Sequence, residues 1–255
     1  MTILFTICGR AGSKGFQNKN LKSMRDVPLV YYTLAVIAEY KRIHNEDNVI
    51  VAVNTDSETL CELVRKQDAV EDIIFVDRKE ILAGDTVAKV EVIKDTYLSI
   101  DKVTRCDLVV DLDITSPYRR LEDVENIIAA LKENRERYDL VFSVVDARRS
   151  PYFNMVEQKV DGNYKKICAG MFTARQQVPP AYELNASIYA YNPEFLQTTI
   201  EKSILDYRCG IIKMPDYLVL DIDSEEDFCM MEYLHPHFCE RDRELKKVYD
   251  IAREM

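Results

Sequence analysis

The sequence predicts an α/β protein built on a doubly wound, mostly parallel β-sheet with helices on both faces. Two observations support this prediction. Short runs of β-branched and aliphatic residues alternate with longer stretches of helical hydrophobic spacing up to position 145. The strand runs are apolar throughout, which indicates that both faces of the sheet are buried. With 255 residues, 47% of them hydrophobic, we expect a single domain over 1–255.

The predicted elements follow one another in a regular order. Parallel strands joined by right-handed crossovers place helices on both faces of a sheet, and ligands bind beyond the carboxyl ends of its strands. One helix opens with Ser57, whose hydroxyl suits an N-cap. The order is strand 2–7, helix 27–42, strand 48–55, helix 57–69, strand 72–76, helix 86–100, strand 107–114, helix 121–134 and strand 138–145.

The alternation of strands and helices breaks off after position 145. Residues 147–184 are loop-like and aromatic, and the sequence Asp-Gly-Asn at 161–163 favours a turn between two short strands. We therefore expect an inserted hairpin arm. The α/β pattern then resumes, with strand 186–191, a helix from Pro193, strands 210–214 and 217–223, and an amphipathic helical tail.

Composition and charge exclude several classes of protein. The formal net charge of −10 disfavours a nucleic-acid-binding protein, which needs a basic face, although a few focused cations can still bind a small anion. The N-terminal run lacks the basic start of a signal peptide, and no apolar run approaches the length of a membrane span. The seven cysteines show no CxxC spacing, which favours reduced thiols. We expect a cytoplasmic protein without a membrane or nucleic-acid partner.

The loop CGRAGSKGFQNKN at 8–20 directly follows the first predicted strand. It is not a P-loop, because Ser13 precedes Lys14, and its glycines miss the Rossmann spacing. Glycines still let backbone N–H groups approach an anion, and Arg10, Lys14 and Lys19 would neutralise its charge. A solvated basic loop is the alternative. The position after the first strand of a doubly wound sheet favours an anion site.

A second candidate site is LVLDIDSEEDF at 218–228. On a strand, Asp221 and Asp223 would project to one face, where two carboxylates repel each other unless a cation lies between them. Mg²⁺ prefers such oxygen ligands and completes its shell with water and phosphates. Ser224 would cap the next helix. Together with the cations of the first loop, these carboxylates suit metal-assisted transfer at a nucleoside triphosphate, with the cations holding a pyrophosphate leaving group.

A third motif offers a competing function. In VVDLDITSP, Asp111 and Asp113 have the spacing of the nucleophile motif of haloacid-dehalogenase-type phosphatases. In those enzymes the motif usually lies on the first strand, whereas six predicted elements precede it here. The structural alternative is a strand end followed by a turn at Ser116-Pro117. A phosphatase of this type therefore remains an alternative from another enzyme class.

Five stretches, in the same order along the chain, resemble motifs of the acylneuraminate cytidylyltransferases, the CMP-sialic acid synthetases. They are GRAGSKGFQNKN, DRKEILAGDT, TSPYRR, ARQQVPPAYELNASIY and DIDSEEDF. The resemblance covers nearly the whole chain and implies a nucleotidyltransferase of Rossmann-like fold. It also implies the reaction: CTP and a nine-carbon 2-keto sugar acid give the CMP-sugar and pyrophosphate. The sugar's anomeric hydroxyl attacks the α-phosphorus.

The resemblance also assigns site residues. The nucleotide would be bound by Arg10, Ser13, Lys14, Lys19, Asn20, Arg78 and Asp85. Mg²⁺ would be held by Asp221 and Asp223, and the residues acting directly in the reaction would be Arg10, Lys14, Lys19 and Asp221. The sugar acid would be bound by Asp113, Arg175, Gln176, Gln177 and Asn185, with the guanidinium of Arg175 pairing with the sugar carboxylate. The arm at 147–184 would form a homodimer.

One departure from the family pattern concerns the sugar site, and another lies in the ARQQVPPAYELNASIY stretch. Asp113 stands where these enzymes commonly have Gln, and Ala186 stands where they have Gly. A carboxylate at 113 should change which hydroxyl or amide of the sugar is accepted. The stretches around 111–117 and 150–157 look more like bacterial legionaminic-acid-type synthetases. The motifs are also compatible with a 3-deoxy-octulosonate cytidylyltransferase and with a non-catalytic nucleotide-binding module.

Overall fold

A computed structural model describes residues 1–12, 15–84 and 86–255 of the protein. The strands, in chain order, are β1 (Thr2–Cys8), β2 (Ser23–Met24), β3 (Val27–Pro28), β4 (Asn48–Thr55), β5 (Ile74–Asp77), β6 (Leu108–Leu112), β7 (Leu140–Asp146), β8 (Val156–Gln158), β9 (Tyr164–Lys166), β10 (Tyr182–Tyr191) and β11 (Cys209–Lys213). The α-helices are α1 (Leu29–Ile43), α2 (Glu58–Lys66), α3 (Lys89–Asp101), α4 (Leu121–Glu133), α5 (Pro193–Leu196), α6 (Glu225–Arg241) and α7 (Arg243–Glu254).

Seven of these strands form the central sheet in the order β11-β7-β10-β6-β1-β4-β5. Every pairing is parallel except those of β10, which runs antiparallel to both β6 and β7. The prediction of a doubly wound, mostly parallel sheet is therefore confirmed, with one strand reversed. The chain leaves β7, passes through the arm and returns directly alongside β7. Antiparallel neighbours of this kind need no crossover helix.

Helices cover both faces of the sheet and explain why its strands are apolar throughout. Ile3, Phe5 and Ile7 of β1 point into the layer formed by α1, α2, α4, α6 and α7, whereas Leu4 points into the layer formed by α3 and α5. This is the two-residue alternation of a strand with two buried faces. In the described part of the chain, no helix combines the length and the apolar character needed to cross a bilayer.

Two predicted helix starts are present. The Ser57 hydroxyl accepts a hydrogen bond from the backbone N–H of Leu60 (3.2 Å) at the start of α2. The Ser224 hydroxyl accepts one from the backbone N–H of Asp227 (3.1 Å), and the Asp227 carboxylate accepts the backbone N–H of Ser224 (2.8 Å). This reciprocal pair is a capping box. It engages the Asp227 carboxylate at the start of α6.

The predicted strand at 217–223 is wrong. Asp216–Leu218 forms a single 3₁₀ turn, and the residues that follow are a loop up to α6. Leu218 and Ile222 are buried, so the apolar spacing that suggested a strand reflects packing against the core. The backbone N–H of Ile222 bonds to the carbonyl of Thr115 (2.9 Å), which ties this loop to the loop after β6. The helix predicted from Pro193 is present as α5, which has a single turn.

The inserted arm is present between β7 and β10. Strands β8 and β9 pair as a hairpin around Gly162, whose φ of 80° suits a residue without a Cβ. A hydrogen bond from the backbone N–H of Ala147 to the carbonyl of Ala181 (3.1 Å) closes the base of the arm. The predicted turn at 161–163 is therefore confirmed, while the strand predicted from 186 begins earlier, at Tyr182.

Strand β10 carries an irregularity at one of the departures from the family pattern. Its register to β7 shifts between Leu184 and Tyr189, and Ala186 within this bulge has a φ of 52°. A left-handed backbone costs a residue with a Cβ about 1–2 kcal/mol, whereas glycine adopts it without strain. The bulge therefore explains why glycine is the favoured residue at this position.

Candidate active site

Two neighbouring cavities have Lys89 in common, and the first of them lies beyond the carboxyl ends of β1 and β6. The first, which we call the basic cavity, has a volume of about 180 Å³ and includes Arg10, Lys19, Asn20, Arg78, Lys89 and Asp113. The second, which we call the aromatic groove, has a volume of about 550 Å³ and includes Lys89, Tyr189, Tyr191, Ile200, Ser203 and Ile204. A larger cavity of about 780 Å³ beside the β2–β3 hairpin contains none of the predicted site residues that the structure describes.

The loop after β1 brings Arg10 and Asn20 together at the basic cavity. The side-chain amide of Asn20 donates to the carbonyl of Arg10 (3.1 Å), so Asn20 fixes the path of the loop. The absence of a side chain at Gly9 allows the backbone of the loop to take this path, because a Cβ there would lie 2.6 Å from the Leu60 side chain. The predicted nucleotide residues Ser13 and Lys14 lie outside the described residues, as does Asp85 on a later loop.

Arg78 reaches the basic cavity from the end of β5. Its guanidinium donates from Nε to the Asn54 side chain and from Nη2 to the Asn54 carbonyl, both at 3.0 Å. Burial lowers the pKa of Arg78, but a guanidinium keeps its charge at neutral pH. The two hydrogen bonds therefore hold a permanent cation in one orientation beside the cavity.

Lys19 joins the first loop to the loop before α6. Its ammonium donates to the carbonyl of Ile222 (2.8 Å) and to the carboxylate of Asp223 (2.9 Å), across 204 positions of sequence. The two stretches that the sequence singled out as a basic loop and an acidic loop are thus in direct contact. The Asp223 side chain remains 76% exposed, so it can still meet a ligand.

Asp221 lies in an acidic environment next to this contact. Partial burial, the neighbouring Asp223 and Asp113 together raise the pKa of Asp221 to about 6, against an opposing effect of Lys19. Neighbouring carboxylates raise one another's pKa in this way when nearby cations do not fully balance their negative charge. A set of hard oxygen donors of this kind suits Mg²⁺. The residues present therefore fit a divalent cation.

Another acidic group lies at the far end of β4. Among the described residues, the potential ligand atoms of His44, Glu46 and Asp47 lie within 4.8 Å of one another. These side chains already have protein partners: Asp47 binds the amino group of Met1 (2.8 Å), and His44 contacts Glu125 (2.7 Å). They precede β4, whereas the candidate site lies beyond the opposite, carboxyl end of the strands.

Sequence reasoning missed Lys89, which forms the centre of the site. Its ammonium lies 2.6 Å from the carboxylate of Asp111 and 2.7 Å from that of Asp113. The Thr6 hydroxyl donates to the other oxygen of Asp111 (2.8 Å). Burial alone would lower the pKa of Lys89, but the two carboxylates raise it well above its usual value. Lys89 is therefore a fixed cation.

Asp113 is held ionised by this arrangement. Its Oδ1 accepts hydrogen bonds from the backbone N–H (2.9 Å) and the hydroxyl (2.8 Å) of Thr115, and its Oδ2 accepts one from Lys89 (2.7 Å). Burial would raise the pKa of Asp113, but Lys89 and Thr115 outweigh it and hold the pKa well below the usual range. The side chain is 20% exposed, so a ligand can reach it.

Arg119 is a second cation that sequence reasoning did not single out, although it lies in the TSPYRR stretch. It is completely buried and donates to the carbonyls of Asp113 and Ser116, the latter at 2.7 Å. It also donates to the hydroxyl of Ser187 (3.2 Å). Burial lowers the pKa of Arg119 to about 10, so it remains charged at neutral pH. Arg119 fixes the turn that carries Asp113.

The phosphatase alternative does not fit these positions. Asp111 is completely buried between Thr6 and Lys89, so its carboxylate cannot reach a substrate. Asp113 is accessible, but two hydrogen bonds from Thr115 and one from the Lys89 ammonium stabilise its negative charge, which makes it a poor nucleophile. The thiol of Cys8 in the basic cavity is also unreactive, because burial and the charge of Asp111 raise its pKa.

Asn185, predicted to line the sugar site, has a different position. It is 1% exposed, and its side-chain carbonyl oxygen accepts a hydrogen bond from the Ser143 hydroxyl (2.6 Å). Its amide donates to the carbonyl of Leu218 (3.2 Å), three residues before Asp221. The structure therefore corrects the prediction: Asn185 supports the acidic loop from within the core and does not line either cavity.

The other predicted sugar residues lie on the arm. Arg175–Gln177 forms a 3₁₀ turn whose residues are exposed, and neither cavity of this chain includes them among its described lining residues. Arg175 donates to the carbonyl of Ala147 (2.8 Å) at the base of the arm. The side-chain oxygen of Gln177 accepts from the backbone N–H of Thr173 (3.0 Å) and so stabilises its own turn.

The raised pKa of Asp221 makes a prediction about stability. Because this pKa of about 6 lies above the value of 3.8 expected for an unfolded chain, the ionised carboxylate destabilises the metal-free fold. The penalty is absent below pH 4, grows between pH 4 and 6, and is complete above pH 6. Asp221→Asn should therefore stabilise the protein in a chelator at pH 7.5 by about 1 kcal/mol, a value reduced for solvent screening.

Thermal unfolding at two pH values measures this effect. The Asp221→Asn protein should melt about 2–4 °C above the wild type at pH 7.5 and at the same temperature near pH 4. Asp68→Asn, at an exposed carboxylate between α2 and β5, should leave the melting temperature unchanged at both pH values. A lower melting temperature for Asp221→Asn at pH 7.5 would contradict the acidic environment described here.

The chain is similar to proteins of one family. It is 34% identical over 234 residues to the post-translational flagellin modification protein B of Campylobacter coli, covering 91% of this chain and 94% of that protein. It is 32% identical to the CMP-N,N'-diacetyllegionaminic acid synthase of Campylobacter jejuni, with the same coverage.

The fold has a counterpart among solved structures. A CMP:2-keto-3-deoxy-manno-octonic acid synthetase in complex with CTP matches with a TM-score of 0.66 and 13% identity, covering 93% of this chain and 99% of that one. At 13% identity, this match is evidence for a shared fold only. Residues 4–250 match the profile of the family described as "Cytidylyltransferase". On this match, which spans almost the whole chain, and on the similarity to its relatives, the protein belongs to the cytidylyltransferase family.

Proposed function

We propose that this protein transfers CMP from CTP to a nonulosonic acid of the legionaminate or neuraminate type and releases pyrophosphate. The observation that carries the proposal is the arrangement of two adjoining cavities, one basic and one aromatic, that share Lys89. A transfer between two substrates needs two binding compartments that meet where the bond is made. We further propose that 1–255 acts as one nucleotidyltransferase domain, arm included.

The basic cavity suits the nucleotide. Arg10, Lys19 and Arg78 line it, and Lys14 and Ser13 belong to the same loop by sequence. We assign Arg10, Lys14 and Lys19 to the triphosphate, where they would stabilise the charge that builds up on the departing pyrophosphate. Asn20 acts on the nucleotide through the loop it holds, and Asp85 remains a nucleotide-site residue by resemblance.

Asp221 and Asp223 are the residues we assign to Mg²⁺. A bound Mg²⁺ supplies electrostatic stabilisation of phosphate oxygens during the displacement. The protein supplies the two carboxylates on the loop before α6, held in place by Lys19, by the buried Ile222 and by Asn185 beneath Leu218. Asp221 must be ionised to bind a cation, so its pKa of about 6 leaves it competent at neutral pH.

The aromatic groove suits the sugar acid. It is lined by Tyr189 and Tyr191, whose rings stack with centroids 6.3 Å apart, and by Ile200 and Ile204. Tyr rings offer an apolar face and a hydroxyl, which matches a sugar ring with mixed polarity. From this groove the anomeric hydroxyl would reach the α-phosphorus past Lys89 and Asp113. The name of the Campylobacter jejuni relative supports an acid of the diacetyllegionaminate type.

The arm suits an interface with a second copy of the chain. Val156 and Tyr164 lie on one face of the β8–β9 hairpin and are 60% and 68% exposed. Apolar side chains presented together on a projecting hairpin favour association. We propose a homodimer through this arm, in which Arg175 and Gln176 meet the sugar acid bound by the partner copy.

All seven cysteines are free thiols, which supports a reducing, cytoplasmic location.

The reaction is tested by pyrophosphate release. We expect release from CTP only when Mg²⁺ and a nonulosonic acid are both present, with a panel of legionaminate, neuraminate, pseudaminate and octulosonate as acceptors. Lys19→Met and Asp223→Asn should each lower kcat about 100-fold, as the loss of a group that stabilises developing charge does. Asp68→Asn is the control and should keep full activity.

Three results would overturn this proposal in whole or in part. Absence of release with every acid in the panel would refute the reaction. Full activity of both Lys19→Met and Asp223→Asn would refute the assignment of the site. Preference for octulosonate over the nine-carbon acids would replace the proposed substrate with the eight-carbon one.

The homodimer is tested by sedimentation at micromolar concentration. Val156→Asp should shift the protein from dimer to monomer, because it places a charge in an apolar contact. Val103→Asp changes a valine that is 88% exposed at the far end of α3, and it should leave the dimer intact. A monomeric wild type, or a dimer unaffected by Val156→Asp, would contradict the proposed role of the arm.

A further inference from the structure

Asn54 is a completely buried polar residue near the carboxyl end of β4. It is not among the described residues that line the basic cavity, and its burial keeps it from touching a ligand. Its side chain lies between the Arg78 guanidinium (3.0 Å) and the Thr96 hydroxyl of α3 (2.9 Å). A buried amide that is hydrogen-bonded on both sides is held in one orientation. Asn54 therefore links the middle of α3 to a cation of the basic cavity.

The hydrogen bonds determine which way the Asn54 amide points. The Thr96 hydroxyl donates its single proton to the carbonyl of Val92 (2.8 Å), so it can only accept a hydrogen bond from Asn54. The NH2 group of Asn54 must therefore face Thr96. Its carbonyl oxygen is then turned towards Arg78, whose Nε–H can only donate. In this way α3 orients the acceptor that holds Arg78.

The backbone carbonyl of Asn54 joins the first loop to the same network. It accepts hydrogen bonds from the backbone N–H of Gly9 (3.2 Å) and from Nη2 of Arg78 (3.0 Å). Gly9 directly precedes Arg10, which lines the basic cavity together with Arg78. One residue of β4 therefore fixes the guanidinium of Arg78 relative to the loop that carries Arg10.

A neutral amide suits this position better than a carboxylate would. Burial lowers the pKa of Arg78 and the nearby Arg10 lowers it further, so the two cations repel each other and Arg78 needs a restraint. A carboxylate would hold Arg78 but would also cancel its charge. Among the described residues, Arg78 donates side-chain hydrogen bonds only to Asn54, through two of its five N–H groups. The positive charge and three N–H groups are left for an anionic ligand.

We propose that Asn54 is a positioning residue of the nucleotide site: its amide, turned by Thr96, holds Arg78 in the orientation that binds the nucleotide. The inference rests on the proposed function and deepens it, since it names two buried residues that set the affinity for CTP without touching it. Both act through Arg78. Their loss should therefore weaken CTP binding and leave the chemical step and the sugar acid unaffected.

The test combines CTP binding with steady-state kinetics. Isothermal titration calorimetry with CTP and Mg²⁺, without a sugar acid, gives the Kd for CTP, and pyrophosphate release gives kcat and the KM of each substrate. Asn54→Leu should raise the Kd and the KM for CTP about tenfold, because the hydrogen bond that orients a charged group is lost. The kcat and the KM for the sugar acid should change less than about twofold, as expected when only ground-state binding is weakened.

A second set of variants changes α3 and leaves Asn54 and Arg78 intact. Thr96→Val removes the hydroxyl that turns the amide and should raise the Kd for CTP about fivefold, whereas Thr96→Ser keeps a hydroxyl and should bind CTP like the wild type. Ser99→Ala is the matched control, because the Ser99 hydroxyl makes the same kind of bond, to the carbonyl of Asp95 (2.8 Å), on the same helix. It should bind CTP like the wild type. If Asn54→Leu does not fold, the Thr96 variants still decide the question.

In an Arg78→Met protein, Asn54→Leu should have no further effect on the Kd for CTP, because Asn54 acts through Arg78. A further tenfold loss in that protein would overturn the inference. So would variants of Asn54 and Thr96 that melt at a lower temperature but bind CTP like the wild type, since their role would then be structural only. Failure of the proposed function looks different: the wild type would bind CTP in the calorimeter but release no pyrophosphate with any acid.

Discussion

The buried ion pairs of Lys89 are the interaction on which the rest of the site depends. Asp111 comes from the carboxyl-terminal part of β6, Asp113 from the turn after it, and Lys89 from the first turn of α3, so one ammonium joins three parts of the fold. Removal of one partner from such a cluster costs about 3–5 kcal/mol, because it leaves an uncompensated buried charge. With Arg119 beneath the turn, two cations balance two carboxylates.

This cluster determines how the two cavities relate to each other. Lys89 separates a cavity lined by cations from a groove lined by tyrosines and isoleucines, and it remains part of both. The contact of Lys19 with Asp223 adds the acidic loop on the side of the basic cavity. In the proposed function, a nucleotide and a sugar acid would therefore approach each other from opposite sides of Lys89, which reduces the entropic cost of bringing them together.

Most of the sheet and its helices followed from the sequence because apolar spacing reports burial directly. The same signal failed at 217–223, where Leu218 and Ile222 are buried without strand pairing. The antiparallel direction of β10 was hidden as well, since strand direction depends on the path of the arm. Lys89 was missed because a lysine at a helix start normally faces solvent. Asn185 was misplaced because a motif match does not reveal whether an amide is buried.

The most direct test of the account is a crystal structure of the protein with a non-hydrolysable CTP analogue and an acetamido nonulosonic acid. We expect the triphosphate in the basic cavity beside Arg10 and Arg78 and the sugar in the aromatic groove, with Lys89 between them. A complex in which both ligands lie on the same side of Lys89, or in which no sugar atom approaches Lys89, would contradict the account.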